Sequence, residues 1–150
     1  MSRNKLDNQV RRLCQVLNVL PGLKTYESCC GHSASPFMVF CKFDSKDPRG
    51  LALLTRAMDR RYWRYGDRWS LSLHINDIFN PTLGPADAIS VEITSQDLGR
   101  PAYKQARDLA RNIIEHLQHS AYLHAFGLEG LEGLDRLVAK PDPKWEPSPP

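Results

Sequence analysis

The chain has no apolar run approaching the roughly 20 residues that a helix needs to cross a bilayer. Its first residues, Met1-Ser2-Arg3-Asn4, lead straight into an amphipathic pattern rather than into the apolar core of a signal peptide. A cytoplasmic protein with no membrane partner is therefore expected. Cysteine is scarce, with four residues in 150 and two of them adjacent, which excludes a disulfide framework and fits reduced thiols. An excess of charge of one sign is nearly absent as well: 20 basic and 17 acidic residues leave a formal net charge of +3, and basic residues dominate one segment. There is no glycine-rich strand-to-helix turn followed by an acidic residue, and no phosphate loop ending in lysine, so the common nucleotide fingerprints are missing.

What is present is an ordinary soluble composition, 41% hydrophobic and 25% charged, long enough for one domain with a sizeable core. Leu6, Val10, Leu13, Cys14 and Leu17 recur at helical spacing over about Lys5 to Asn18, and Pro21-Gly22 stops the pattern. Cys14 sits on the apolar stripe and is expected to pack as a small hydrophobe. Leu23 to Ser28 predicts a short strand. Phe37 to Phe43, apolar at almost every position, predicts a central strand or one covered on both faces. Leu51, Leu54, Met58 and Tyr62 predict a second helix, with Ser45 or Asp47 as cap and Pro48 at its first position.

Trp69, Leu71, Leu73 and Ile75 alternate with Ser70, Ser72, His74 and Asn76, and Ile89, Val91 and Ile93 alternate with Ser90, Glu92 and Thr94. Both segments predict half-buried strands, joined by a loop over Asp77 to Asp87. Arg100-Pro101 opens a third helix with Ala102, Ala106, Leu109, Ile113 and Leu117 as its buried stripe. The expected fold is α+β in two layers: a four-stranded, mostly antiparallel sheet with three helices in the order α-β-β-α-β-β-α. Residues 1–120 form the domain. Residues 121–140 are an extension packed on the body or partly helical, and the five prolines of 141–150 predict a disordered tail.

Three places carry chemistry. The first is the turn Ser28-Cys29-Cys30-Gly31-His32-Ser33 between two strands. Gly31 permits positive φ, and the small residues let backbone N–H groups converge on a polar ligand. Cys30, His32 and His74 carry zinc-ligand atoms, but adjacent cysteines on a strand end point to opposite faces, so no metal site is assigned. The second place is the polar side of the last two strands. If those strands are neighbours, His74 and Glu92 approach each other and form a pair suited to acid–base work or to a polar ligand. The third is Arg56 to Trp69, where Arg60, Arg61, Arg64 and Arg68 mingle with Tyr62, Trp63, Tyr65 and Trp69. That mixture suits phosphates and stacked bases, or else a solvated surface with its aromatics turned inward.

Leu17-Asn18, Pro21-Gly22, Thr25, Ser28-Cys29-Cys30-Gly31 and Pro36 to Phe40, followed by Asp44 before a helix, resemble the wybutosine-synthesis tRNA methyltransferase family. Small phage and bacterial proteins of unassigned role carry a similar Ser-Cys-x-Gly-His turn. Ser28, Cys29 and Gly31 match the methyltransferase turn. Cys30 stands where that family has serine, and His32 where it has arginine. The resemblance implies an RNA-directed tRNA-modification protein, with S-adenosylmethionine as methyl donor, His74 or Glu92 handling the proton and the arginines holding phosphates. The alternative is a non-catalytic phage or mobile-element accessory protein that binds a host protein or nucleic acid. The expected ligand is thus a nucleotide, RNA or small polar molecule.

Overall fold

The computed structural model describes residues 3–29, 31, 34–75 and 89–139. Helix α1 (Arg3–Leu17) leads into β1 (Leu23–Cys29) and β2 (Met38–Phe43). Helix α2 (Arg49–Met58) follows, then β3 (Trp69–Ile75), β4 (Ile89–Ser95) and the long α3 (Arg100–Gln118). Two short helices, α4 (Ser120–Ala125) and α5 (Leu134–Ala139), complete the described chain. The expected α+β class and element order hold, but the helices number five rather than three among the described residues. The extra two arise where Gly127, Gly130 and Gly133, all at positive φ, break the extension into single turns that no long apolar stripe marks in the sequence.

The four strands form one antiparallel sheet in the order β1-β2-β4-β3. β2 is central, as its apolar sequence predicts, yet its burial alternates: Val39, Cys41 and Phe43 are buried, while Phe40 and Met38 are only half-buried. One side of the sheet is therefore covered and the other is open. On the covered side Val39, Cys41, Val91 and Ile93 meet Leu13, Leu17, Leu53, Leu54, Leu109 and Ile113 in a single core. Burial pushes the Cys41 thiol up to about 12, with Cys14 adding to the effect, so Cys41 is an inert packing group. Cys14 itself is half-buried at the edge of this core rather than inside it.

Local chemistry sets the joints. Gly22 adopts φ +81, and a Cβ there would lie 2.0 Å from the Asp47 carbonyl oxygen, so the α1–β1 turn can seat against the β2–α2 loop only with glycine. The Asp44 N–H donates to the Gly22 carbonyl and the Gly50 N–H to the Pro21 carbonyl, tying the two connections together. α2 starts one residue later than its sequence suggests. Pro48 is its cap residue, and the Asp47 carboxylate accepts both the Arg49 guanidinium at 2.8 Å and the Arg49 backbone N–H at 3.4 Å. The helix also ends at Met58, so Tyr62 lies beyond it in the connection to β3. That connection and the element ends on either side of it are pinned to α3: Trp63 Nε1 donates to Asp108 at 2.8 Å, Trp69 Nε1 at the start of β3 to Gln105 at 2.9 Å, and Asn112 Nδ2 to the carbonyl of Ala57 in α2 at 2.7 Å.

The two edge strands differ. On β1 a bulge between Thr25 and Glu27 interrupts the ladder. The side chain of Asn18 takes the Thr25 N–H at 2.9 Å, which occupies part of the free edge. On β3 the sequence predicts a half-buried alternation, but Leu73 and Ile75 are 55% and 86% exposed. Only Trp69 and Leu71 reach the core at the strand's first half. Among the described residues no helix is long and apolar enough to cross a membrane.

Candidate functional site

The open side of the sheet is where the strand register gathers polar and aromatic groups. Phe40 of β2 pairs with Glu27 of β1 and with Glu92 of β4, and Glu92 pairs with Ser72 of β3. Paired residues of antiparallel strands share a face, so Glu27, Phe40, Glu92 and Ser72 cross the open side as one row. Met38 and Thr94 flank that row on one side, with Lys42, Ser90 and His74 on the other.

His74 is opposite Ser90, one step off the Glu92 row, and its ring reaches diagonally. Nε2 lies 2.5 Å from Glu92 Oε2 and 3.3 Å from Ser72 Oγ. The other carboxylate oxygen, Oε1, accepts from Thr94 Oγ1 at 2.9 Å. Glu92 is thus gripped at both oxygens by neighbours on two strands, and its side chain is 19% exposed against 46% for His74. The expected approach of His74 and Glu92 is present, and the cause is the direct β3–β4 pairing. What the sequence reading missed is the aromatic neighbour: the His74 ring sits 6.2 Å from the Phe40 ring, and Phe40 sits 6.1 Å from Tyr26, whose side chain is 46% exposed. The signal was available in the parity of β2. Phe40 stands two residues from both Met38 and Lys42, out of step with Val39, Cys41 and Phe43.

The turn that looked richest in chemistry divides between the two faces. Cys29 pairs with Met38 on the open side, and its Sγ accepts the Gly31 N–H at 3.3 Å. Ser28 pairs with Val39 and so belongs to the opposite side, in an open groove between α1 and β1. That groove has a volume of about 320 Å³ and is lined by Val10, Arg11, Cys14, Thr25, Tyr26, Glu27 and Ser28. Gly31 has φ 79, as its role in a tight turn requires, and its carbonyl accepts from the Ala34 and Ser35 N–H groups, both at 2.9 Å. The remaining turn candidates, Cys30, His32 and Ser33, lie outside the described residues. So do Asn76, the Asp77 to Asp87 loop and the 141–150 tail. Among the described residues no group of three or more His, Cys, Asp or Glu is placed to hold a metal ion.

The arginine segment resolves into two kinds of residue. Arg61 is held by Asp59 at 3.0 Å. Arg68 is held by Asp97, with Nε 3.0 Å from Oδ2 and Nη2 on Oδ1. The hydrogen bonds from Arg68 and then Gln105 bring the Asp97 carboxyl down to about 2. Arg60 and Arg64 are exposed, the latter over the Tyr65 ring at 5.0 Å. Trp63 and Trp69 are buried, at 3% and 5% exposure, and their indole N–H groups are committed to α3. Neither is available to stack a base.

Compared with protein-family models, curated proteins and solved structures, the chain has no match.

Proposed function

We propose that the open side of the sheet binds single-stranded RNA or a nucleotide, with Tyr26, Phe40 and His74 as stacking groups and Glu92 as the polar contact. The observation that carries this reading is the run of three rings at about 6 Å spacing, ending on a histidine that a carboxylate holds in place. Antiparallel sheets whose other face is covered by helices bind single strands in this manner, because every base has a π-face and an exposed ring receives it without sequence preference. Glu92 fixes the His74 ring and leaves Ser72 and the second imidazole nitrogen for hydrogen bonds to a base edge. Arg60 and Arg64 supply charge for the backbone, while Arg61 and Arg68 are engaged by their own carboxylates.

S-adenosylmethionine enters only through the resemblance to the wybutosine-synthesis family. The described residues include no glycine-rich strand-to-helix turn, and the α1–β1 groove is open and at the small end of ligand sites. No step is derived through a methyl donor. Binding by the rings needs no donor.

The test is a titration of a labelled single-stranded RNA of about ten nucleotides by fluorescence anisotropy at several salt concentrations. The wild type should bind, with affinity falling as salt rises, and Phe40→Ala should weaken binding without unfolding the protein. Binding that is unaffected by both Phe40→Ala and Tyr26→Ala would place the nucleic acid elsewhere. No binding at low salt would end the RNA reading and leave a host protein as the partner to seek.

A further inference from the structure

A second cluster lies among the helices and plays no part in the open face. The Arg56 guanidinium of α2 sits over the Tyr62 ring, 3.9 Å from its centroid, and over the Tyr122 ring of α4 at 4.4 Å. Its Nη2 donates to the Tyr122 hydroxyl at 3.1 Å, a phenol rather than a carboxylate. His116 of α3 stacks on the same Tyr122 ring at 5.0 Å and an interplanar angle of 21°, and meets Tyr62 edge-on. His119 also stacks on Tyr122, at 4.5 Å.

Two polar atoms in this cluster are buried with no hydrogen-bond partner among the described residues: Arg56 Nε and His116 Nε2. His116 is only 6% exposed. Its Nδ1 lies 2.7 Å from the Asn112 carbonyl and donates to it, which makes Nε2 of the neutral ring a lone-pair acceptor. One unsatisfied donor belonging to a cation and one unsatisfied acceptor thus belong to side chains that share the Tyr62 and Tyr122 rings. Buried groups of this kind are costly, and each needs a partner that the described residues do not supply.

We infer that the Arg56–His116 cluster is a phosphate site, independent of the open sheet face, that takes inorganic phosphate. A monoprotonated phosphate carries acceptor oxygens for the guanidinium N–H and a P–OH that donates to His116 Nε2. Sulfate carries acceptors alone, so it satisfies Arg56 and leaves the imidazole nitrogen unpaired. Arginine is suited to this role by its planar fork of donors, and the tyrosine rings on it hold that fork in orientation. Access is through Tyr122. Tyr122 is only half-buried, and Tyr62, 39% exposed, forms the other wall.

The experiment is thermal unfolding of the full chain at pH 8, with phosphate and sulfate compared at matched ionic strength. About 10 mM phosphate should raise the Tm by about 3 °C or more, and sulfate by clearly less. His116→Phe preserves the ring stack and removes the orphan acceptor. It should keep or raise the Tm without ligand and erase the preference for phosphate. Arg56→Gln should erase the phosphate shift itself, with Arg56→Lys as the alternative if that variant does not fold. A short oligonucleotide with a 5′-phosphate is a second control: its monoester is a dianion without a P–OH at pH 8, so it should shift the Tm no more than sulfate does, and a shift equal to that of free phosphate would overturn the role given to His116. Equal shifts from phosphate and sulfate, no shift in the wild type, or a phosphate shift that survives Arg56→Gln would overturn the assignment. The two orphan atoms would then be partners of an internal water.

Discussion

The two sides of strand β4 are built from alternate residues of one seven-residue segment, and they have opposite characters. Val91 and Ile93 are fully buried under the helices, while Glu92 and Thr94, between and beside them, stand half-buried on the open side. On the covered side the neighbours of Val91 and Ile93 are mostly apolar, and the reward for each side chain is removal of its surface from water. On the open side the charged and polar groups satisfy each other: Thr94 and His74 hold the two oxygens of Glu92. The covered side is therefore where substitutions should act on stability. The open side can be altered with little effect on folding, which leaves it free to carry function.

The largest effect that sharpens this contrast is expected from Ile93→Ala. Its side chain is fully buried in the centre of the core, and truncation there should cost about 2–5 kcal/mol, from lost burial and the cavity left behind. Chemical denaturation with urea should show a lower midpoint at an unchanged slope. If Ile93→Ala costs under about 1 kcal/mol, the covered side is less tightly packed than its burial indicates.

The next effect in size belongs to the open side and concerns binding. Phe40→Ala and Tyr26→Ala should each weaken binding of single-stranded RNA by about 5- to 150-fold, since stacking contributes roughly 1–3 kcal/mol per base. Glu92→Gln should be milder. It keeps an acceptor for Thr94 and removes the charge that holds His74, so it should reduce affinity by a few-fold and leave the urea midpoint nearly unchanged. A loss of stability from Glu92→Gln as large as that from Ile93→Ala would erase the distinction between the two sides.

The sequence shows this division in part, for definite reasons. Strict alternation in Trp69 to Ile75 and Ile89 to Thr94 carries the strand direction and the polar face, because period two is a property of the strand itself. That is why His74 and Glu92 could be paired before the register was known. Strand order is another matter. β2 lies next to β4 rather than β3, and only that pairing brings Phe40 beside Glu92 and His74. No local pattern encodes it. The turn misleads in the opposite direction: its density of thiols and hydroxyls suggests one site, yet pleating sends Ser28 and Cys29 to different faces. Arg56 was counted in the basic segment, but its surroundings were hidden for a third reason. It lies in the helix before the arginine-rich connection, and only α3 and α4, distant in sequence, supply the rings of His116 and Tyr122. Tyr62 was assigned to a helix that ends four residues earlier.

The smallest predicted effect is electrostatic and tests the joint between the arginine segment and the sheet. Asp97 is held down to about 2 by the hydrogen bonds from Arg68 and Gln105, below the usual carboxylate range near 3.9. A depressed carboxyl stabilises the fold at pH values above its unfolded pKa. That contribution is lost as the pH falls through about 4 toward 2, where the native carboxylate also takes a proton. The side chains of Arg68 and Asp97 are 48% and 24% exposed, so solvent screening limits the contribution to about 1 kcal/mol or less. Urea midpoints of the wild type and Asp97→Asn should therefore differ at pH 6 and converge by about pH 2. The difference should shrink in high salt. If it persists unchanged at pH 2, the Asp97 contribution is a matter of packing and hydrogen-bond geometry around Gln105 and Trp69 rather than of charge. Arg68 would then be as free as Arg60 and Arg64 to meet a phosphate backbone.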